Sequence, residues 1–172
     1  MPDGERPGWD NGTAGYCGHR AQISRLRGMA GDALAWSLDG AGRLPAGPTG
    51  FAGLCLGELA HAAALTGDLV EARRALAAAD ERTLPAFRTI DFTLELAHPW
   101  VSAAGGDLTG AVAGALAAAD LAAGLRLRGY EMYALHDAVR LGAADRAADG
   151  VAARIADRLA GLASLLGRLD AP

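Results

Sequence analysis

Apolar residues recur at steps of three and four along most of this chain, a pattern typical of helices that bury one face. The clearest example covers residues 49–82. Thr49 is placed to cap a helix that ends near Leu65, and Leu69 begins a second amphipathic helix after a Gly67-Asp68 turn. This stretch therefore predicts a helical hairpin.

The same periodicity predicts helices on both sides of the hairpin. Residues 1–18 are rich in Gly, Pro and polar groups and show no periodicity, so we expect a disordered N-terminal tail. A helical-repeat domain is predicted over residues 19–172. Its other helices are expected at 19–27, from Asp32 to about 38, and at about 86–104 (kinked by Pro99), 108–125, 127–142 and 145–169.

Four turns divide the predicted helices into pairs, at Gly31-Asp32, Gly67-Asp68, Gly106-Asp107 and Ala144-Asp145. The Asp residues are 36, 39 and 38 positions apart. Each Asp is expected to cap the following helix, and the Gly before it to end the preceding helix in a left-handed conformation. A period in the high thirties with two helices per unit is typical of tetratricopeptide-like arrays. The predicted fold is all-α, an antiparallel array of helical hairpins (an α-solenoid) with about seven or eight helices.

The composition supports helices and narrows the function. Hydrophobic residues make up 51% of the chain but aromatics only 5%, because Ala dominates, so closely packed helices are favoured over a bulky sheet core. The net charge of −4 gives no electrostatic footprint for direct contact with nucleic acid. The chain has no lysine, which excludes a phosphate-loop or Schiff-base Lys.

The two cysteines and the absence of long apolar runs bear on location. Cys17 and Cys55 lack the spacing of a metal site or a CxxC motif, so we expect reduced structural thiols in a cytoplasmic protein. Residues 1–15 lack the apolar core of a secretory signal, and no run reaches the ~18 apolar residues of a membrane span. No membrane association and no cofactor are predicted.

Three segments carry a resemblance to a known family. They are LAHAAALTGDLVEARRALAAAD, LAHPWVSAAGGDLTGAVAGALAAADLA and YEMYALHDAVRLGAADRAADGVAARIADRLAGLA, with the sharpest piece, ALHDAVRLG, at residues 134–142. Over about residues 50–167 the chain resembles the helical-repeat region of large ATP-binding LuxR-type transcriptional regulators, the maltose-activator-like (MalT-like) proteins, whose signature reads LHDAARLG. The resemblance implies a sensor or scaffold surface for a ligand or a protein.

Two features of those regulators are missing from this sequence. It has no GxxxxGK[ST] phosphate loop, and it reaches Pro172 without a helix-turn-helix pattern. Neither ATP hydrolysis nor DNA binding is therefore expected of it.

Three histidines fall in phase with the repeat. His61, His98 and His136 are 37 and 38 residues apart. Equivalent positions on successive packed helices lie about 8–10 Å apart, too far to share a metal ion bound at about 2 Å. No metal site is predicted, and the three mark either a half-buried position near the hairpin seam or a row along a ligand groove.

Polar and aromatic residues concentrate on the first helices of the later hairpins, which would line the concave face of a tetratricopeptide-like array. Such a set suits a groove for a peptide or a small molecule. The candidate groove residues are Glu95, His98, Trp100, Glu131, Tyr133 and His136. The alternative is that Trp100 and Tyr133 fill the core.

The sequence contains no arrangement that supports catalysis. There is no GxSxG motif, and neither cysteine has a catalytic context. His136 and Asp137 are adjacent on a helix and point to different faces, whereas Asp137 and Arg140 form an ordinary i,i+3 ion pair. No catalytic residue is predicted, and the protein is not expected to be an enzyme.

The last predicted helix carries an apolar stripe that includes Ile155, Leu159, Leu162 and Leu166. Solenoids need a polar capping element at their end. The stripe therefore either folds back on the preceding helices or forms an interface with a protein partner or a second copy.

The predicted function is that of a non-enzymatic interaction or sensor module, related to the repeat region of LuxR-type regulators and acting through its groove and end surfaces. Two alternatives stay open at this point. One is a small-molecule-binding domain that senses a metabolite in the groove. The other is a piece of a larger regulator with no independent activity.

Overall fold

A computed structural model describes residues 7–87, 89–143 and 150–169. The described residues form eight α-helices and a short 3₁₀ turn, with no strand, so the all-α prediction is confirmed. The helices are α1 Pro7–Leu26, α2 Ala30–Gly42, α3 Ala52–Thr66, α4 Leu69–Arg82, α5 Phe92–Ala104, α6 Leu108–Gly124, α7 Arg128–Arg140 and α8 Val151–Leu169, and the 3₁₀ turn is Pro85–Phe87.

The helices pack mainly against their neighbours in the chain. Each of α1–α7 contacts the next helix, and the odd-numbered helices α1, α3, α5 and α7 also pack against one another in succession. Two apolar clusters result, one centred on α3, α4 and α5 and the other on α5–α8. The odd-numbered helices thus meet on one inner side of the molecule.

Three left-handed glycines set the spacing of the first three hairpins. Gly28, Gly67 and Gly106 have φ of +78°, +85° and +91°, and they are 39 residues apart (28 to 67, and 67 to 106). Asp68 and Asp107 cap the helices that follow, as predicted, by accepting bonds from Glu71 N at 3.0 Å and Gly110 N at 2.8 Å. A regular repeat therefore exists at the level of the turns.

The predicted turn at Gly31-Asp32 is wrong by three residues. The chain turns at Gly28 instead, and α2 begins at Ala30, so Asp32 lies within its first turn and caps nothing. The helix α3 begins at Ala52, with Phe51 and not Thr49 at its N-cap position. The fourth predicted cap, Asp145, lies outside the described residues.

The first helix replaces most of the expected disordered tail. Residues 7–18 belong to α1, which continues without a break to Leu26. The buried face of the first part of this helix consists of small residues, including Ala14, Cys17 and Ala21 at no more than 1% exposure. Because these side chains are small, no periodic pattern of large apolar residues marks the helix in the sequence. Residues 1–6 lie outside the described part of the chain.

The helix α3 is buried on all sides. Every residue from Ala52 to Ala64 is buried, which is the pattern of a helix enclosed by others. Glycine allows this close approach: a Cβ on Gly53 would lie 2.4 Å from the Asp91 side chain, and one on Gly57 would lie 2.9 Å from the backbone of Leu94. The pair Gly53 and Gly57 therefore lets α3 and α5 touch nearly backbone to backbone.

The helix α5 begins later than predicted. The residues before it form the 3₁₀ turn, and the helix starts at Phe92 instead of residue 86. It continues through Pro99, whose ring cannot donate a bond to the carbonyl of Glu95, and ends at Ala104.

Removing either confirmed cap should weaken its helix. We expect Asp68→Ala and Asp107→Ala each to lower the free energy of unfolding by about 1 kcal/mol, because each leaves a first-turn amide without its acceptor. Urea denaturation followed by circular dichroism measures this. Asp32→Ala is the matched control and should change stability by no more than about 0.5 kcal/mol. A loss at Asp32 equal to that at Asp68 would contradict the assignment of the turns.

Candidate functional site

A buried ion pair links α1 and α3 on the inner side. Arg25 donates from Nε and Nη2 to the two carboxylate oxygens of Glu58, at 2.8 and 2.9 Å. The side chains are only 6% and 1% exposed. This bidentate geometry is the one that best compensates the desolvation of both charges.

An aromatic stack lies beside this ion pair. His61 on α3 packs against Trp100 on α5 with ring centroids 5.6 Å apart, and the guanidinium of Arg140 on α7 lies 4.5 Å from the Trp100 ring centroid. Both ring nitrogens of His61 and the Trp100 Nε1 are buried without a hydrogen-bond partner among the described residues. Burial, with smaller contributions from the Arg25 and Arg140 charges, lowers the pKa of His61 well below its ordinary value. His61 is therefore neutral at pH 7.

A second carboxylate completes the cluster. Burial raises the pKa of Asp137 on α7, and the nearby Trp100 Nε1 and the Arg25 and Arg140 guanidinium groups oppose that change. Trp100 Nε1 faces this carboxylate outside the geometry of a full hydrogen bond. The Arg140 contact is also long, at 3.6 Å. The inner cluster is hereafter the set Arg25, Glu58, His61, Trp100, Asp137 and Arg140.

The inner cluster borders a small cavity between α1 and α7. The cavity measures about 70 Å³, and its lining residues are Arg25, Leu26, Tyr133, His136, Asp137 and Arg140. The apolar side chain of Leu26 is 45% exposed at this cavity. The Arg140 side chain is 48% exposed. A solvent-facing mouth thus combines an apolar group with a cation whose ion pair with Asp137 is long, at 3.6 Å.

The chemistry of the inner cluster favours binding. Its two arginines and two carboxylates balance in charge, and no described residue forms a hydrogen bond that would orient His61 as a general base. Within the described residues, no three His, Cys, Asp or Glu side chains are arranged to hold a metal ion. The exposed half of Arg140 and its apolar surroundings are suited to holding an anionic group of a partner.

The structure brings together three of the six predicted groove residues. Tyr133 and His136 line the cavity, and Trp100 lies behind it in the inner cluster. Trp100 and Tyr133 are half-buried and also pack against the core, so the groove and core interpretations each hold in part. The histidine row is not uniform, because His61 is buried whereas His98 and His136 are exposed.

Glu131 is not part of this site. Its carboxylate accepts bonds from Arg128 at 2.9 Å and from Arg158 on α8 at 3.0 Å, and Arg158 also bonds to Asp120 on α6 at 2.6 Å. Arg158 therefore links α6, α7 and α8, and Glu131 is held in this network instead of facing a groove, which corrects its prediction as a groove residue.

The predicted interface on the last helix is largely covered within the chain. Ile155 and Leu162 are 3% and 6% exposed and belong to the core shared with α5–α7, and Leu159 packs against that core. The stripe folds back on the preceding helices, the first of the two alternatives. The Leu166 side chain lies outside the described residues.

The residues that sequence reasoning missed are Arg25, Glu58, Asp137 and Arg140. Glu58 was the one with a visible signal, since it is the single charge in an otherwise apolar helix over residues 52–66. A charge that interrupts such a run indicates a buried ion pair, although its partner 33 positions upstream could not be identified from sequence.

Glu95 lies at a different cavity, between the end of α4 and the start of α5. This acidic cavity measures about 260 Å³ and is lined by Thr83, Leu84, Pro85, Asp91, Leu94 and Glu95. Asp91 is 3% exposed, and its Oδ1 accepts a bond from Leu54 N at 3.2 Å, so it caps α3 from a neighbouring segment. Its Oδ2 has no partner among the described residues.

The buried position of Asp91 should be visible in the pH dependence of stability. Burial raises the pKa of Asp91 to about 6, and the amides of Leu54 and Gly53 only partly oppose this. Between pH ~4 and ~6 the folded state then holds a proton that the unfolded state has lost, so this contribution to stability is lost as pH rises through about 6.

We therefore expect the difference in unfolding free energy between the native protein and Asp91→Asn to fall from pH ~4 to ~6 and to level off above ~7. Urea denaturation at a series of pH values measures it. Asp157→Asn, at an exposed position on α8, should show no such slope against the native protein. A difference that rises with pH would mean that Asp91 is stabilised as an anion.

Comparisons with known proteins return nothing. No protein-family model, no curated protein and no solved structure matches this chain. Across the described ranges, no helix combines the length and the apolar character needed to cross a membrane.

Proposed function

We propose that this chain is a non-enzymatic, tetratricopeptide-like interaction module that binds a partner segment at the mouth between α1 and α7. The observation that carries the proposal is the exposed combination of Leu26 and Arg140 at a cavity backed by the inner cluster. The resemblance to the repeat region of LuxR-type regulators belongs to the same proposal and supplies the role of a sensor or scaffold.

The packing of the helices supports an array. Neighbour-by-neighbour contacts and left-handed glycines 39 residues apart are what stacked hairpins require. Stacking places the first helix of each hairpin on the same side, and α1 and α7 are both such helices. The mouth between them would be the part of the concave surface that remains open to a partner, because α3 is covered.

The side chains at the mouth indicate the chemistry of that partner. Arg140 keeps half its surface in solvent, has only a 3.6 Å contact to Asp137, and is fixed in place by stacking on Trp100. A carboxylate of the partner would gain a preorganised cation, and an apolar side chain beside it would cover Leu26. The partner expected is an acidic peptide segment with flanking apolar residues.

Selection from a random peptide library tests this. We expect the native protein to enrich peptides that place Asp, Glu or a C-terminal carboxylate beside apolar residues. Leu26→Asp should bind those peptides at least tenfold more weakly, because it adds a like charge and removes apolar contact. Val70→Asp is the matched control, since Val70 is 82% exposed on α4, and it should bind within twofold of the native protein.

The proposal fails if no peptide class is enriched, or if Leu26→Asp binds the enriched peptides as well as Val70→Asp does. Circular dichroism of both variants checks that they remain folded. Both positions are exposed on helices, so each substitution is expected to cost little stability.

A further inference from the structure

The acidic cavity has features that the inner cluster and its mouth do not use. Two carboxylates line it four positions apart: Asp91 at the N-cap position of α5 and Glu95 in the first turn of that helix. No arginine or histidine among the described residues forms an ion pair with either. The nearest cation on α4, Arg82, donates instead to the carbonyls of Pro45 and Gly47.

Asp91 is an incompletely satisfied buried anion. It is 97% buried, one oxygen is used by the Leu54 amide, and the other has no partner among the described residues. A buried polar atom without a partner costs free energy that a bound donor would recover. Among the described residues, the titratable groups near it are Glu95 in the first turn of α5 and Cys55 on α3, and neither is a cation.

The rest of the lining is apolar except for Thr83, whose hydroxyl donates to the Ala79 carbonyl. Leu84, Pro85 and Leu94 form the walls, and Pro85 is exposed at the rim. At about 260 Å³ the cavity is at the small end of the range for ligand sites, so it suits a short chain better than a large ring system.

The geometry selects among cations. A guanidinium binds a carboxylate best through two parallel bonds, which need both oxygens, but one Asp91 oxygen already accepts from Leu54. An ammonium is a compact point charge with three donors, and it can bind the one free oxygen of Asp91 together with Glu95. The chain contains no lysine, so the side chains of this protein cannot supply that group.

We propose that the acidic cavity binds an alkylammonium group, with its charge between Asp91 and Glu95 and its aliphatic chain against Leu84, Pro85 and Leu94. The source is either a small free amine or a lysine side chain of another polypeptide. Because this cavity is separate from the mouth between α1 and α7, the proposal stands independently of the peptide-binding function.

Calorimetric titration in phosphate buffer at constant ionic strength tests the proposal with three probes: butylammonium, butylguanidinium and Nα-acetyl-lysine N-methylamide. We expect saturable binding of butylammonium to the native protein, at least fivefold tighter than that of butylguanidinium. Binding of the lysine derivative at equal or greater strength assigns the site to a lysine side chain, and binding of butylammonium alone assigns it to a free amine.

Variants place the binding in this cavity. Glu95→Gln should weaken butylammonium binding at least fivefold, and Asp91→Asn should do so as well, whereas Asp157→Asn on α8 should leave it unchanged. Glu95 has no part in capping α3, so its variant decides the outcome even if Asp91→Asn unfolds. Lowering the pH from 7.5 to 5 should weaken binding to the native protein about tenfold, since Asp91 has a pKa of about 6.

The absence of saturable butylammonium binding to the native protein would overturn the proposal. So would equal binding of butylammonium and butylguanidinium, or full binding by Glu95→Gln.

Discussion

Replacing Glu58 with glutamine is expected to lower the free energy of unfolding by about 3–5 kcal/mol. The substitution keeps the size of the side chain but removes the charge that compensates Arg25, whose side chain is 6% exposed. The buried guanidinium then loses its bidentate partner and keeps only the more distant Asp137 carboxylate. Urea denaturation at pH 7 measures the loss.

The double variant Arg25→Met with Glu58→Leu is the informative control. It removes both charges and fills the space with apolar groups of similar length, so most of the lost stability should return. An exposed ion pair provides a second comparison. Glu71→Gln removes the partner of Arg74, which is 62% exposed, and should lower the free energy of unfolding by no more than about 0.5 kcal/mol. A loss at Glu58 no larger than that at Glu71 would mean that the buried pair is accessible to water.

A single added methyl group at Gly57 is expected to destabilise the protein by about 2 kcal/mol. In Gly57→Ala the new Cβ would lie 2.9 Å from Leu94 N and 3.0 Å from its Cα, and these backbone atoms cannot rotate away. The helices α3 and α5 must therefore separate, and this outweighs the gain of about 1 kcal/mol that Ala normally brings to a helix.

The substitution Gly161→Ala is expected to change the stability in the opposite direction. Gly161 is exposed within α8 and has no atom within 4 Å of its would-be Cβ, so the substitution should stabilise by up to about 1 kcal/mol. Thermal unfolding of the two variants beside the native protein compares them directly. Equal stabilisation by both would show that α3 and α5 are farther apart than described.

The sequence predicts the hairpins here because their signals are local. Gly67-Asp68 and Gly106-Asp107 each contain the left-handed residue and the cap within two positions, and both were placed correctly. The first turn was misplaced because Gly31-Asp32 imitates that pair, while Gly28 carries the left-handed conformation without a following Asp. The sequence therefore locates a turn correctly only where the left-handed Gly and the capping Asp are adjacent.

The start of the chain shows the limit of periodicity. Helix α1 packs through glycine and other small side chains: a Cβ on Gly15 would lie 2.9 Å from the Phe51 ring, and one on Gly18 would lie 2.8 Å from Leu54. A helix face made of glycine has no apolar side chains, so it produces no hydrophobic periodicity in the sequence. The stretch therefore resembled a tail in sequence although its packing in three dimensions is tight.

The inner cluster could not be assembled from sequence for a different reason. Its ion pair joins Arg25 to Glu58 across two helices, and the ring of Trp100 stacks with residues from α3 and α7. These contacts depend on how α1, α3, α5 and α7 pack against one another, which no spacing along the chain determines. The groove residues Trp100, Tyr133 and His136 were identified because they lie on the first helices of their hairpins. Glu131 was misassigned because its ion pair with Arg158 joins residues 27 positions apart.

The complete burial of α3 also governs how this molecule can move. An amide in the middle of α3 can exchange its hydrogen only when α1, α2, α4 and α5 have all come away, so its slow exchange would report global unfolding. At the other extreme, α8 packs on α6 and α7 alone among the ion-paired and contacting helices of the described residues, and we expect it to open at a lower free energy than α3. The slowest-exchanging amides are therefore expected near the middle of the chain, and faster exchange is expected in α8.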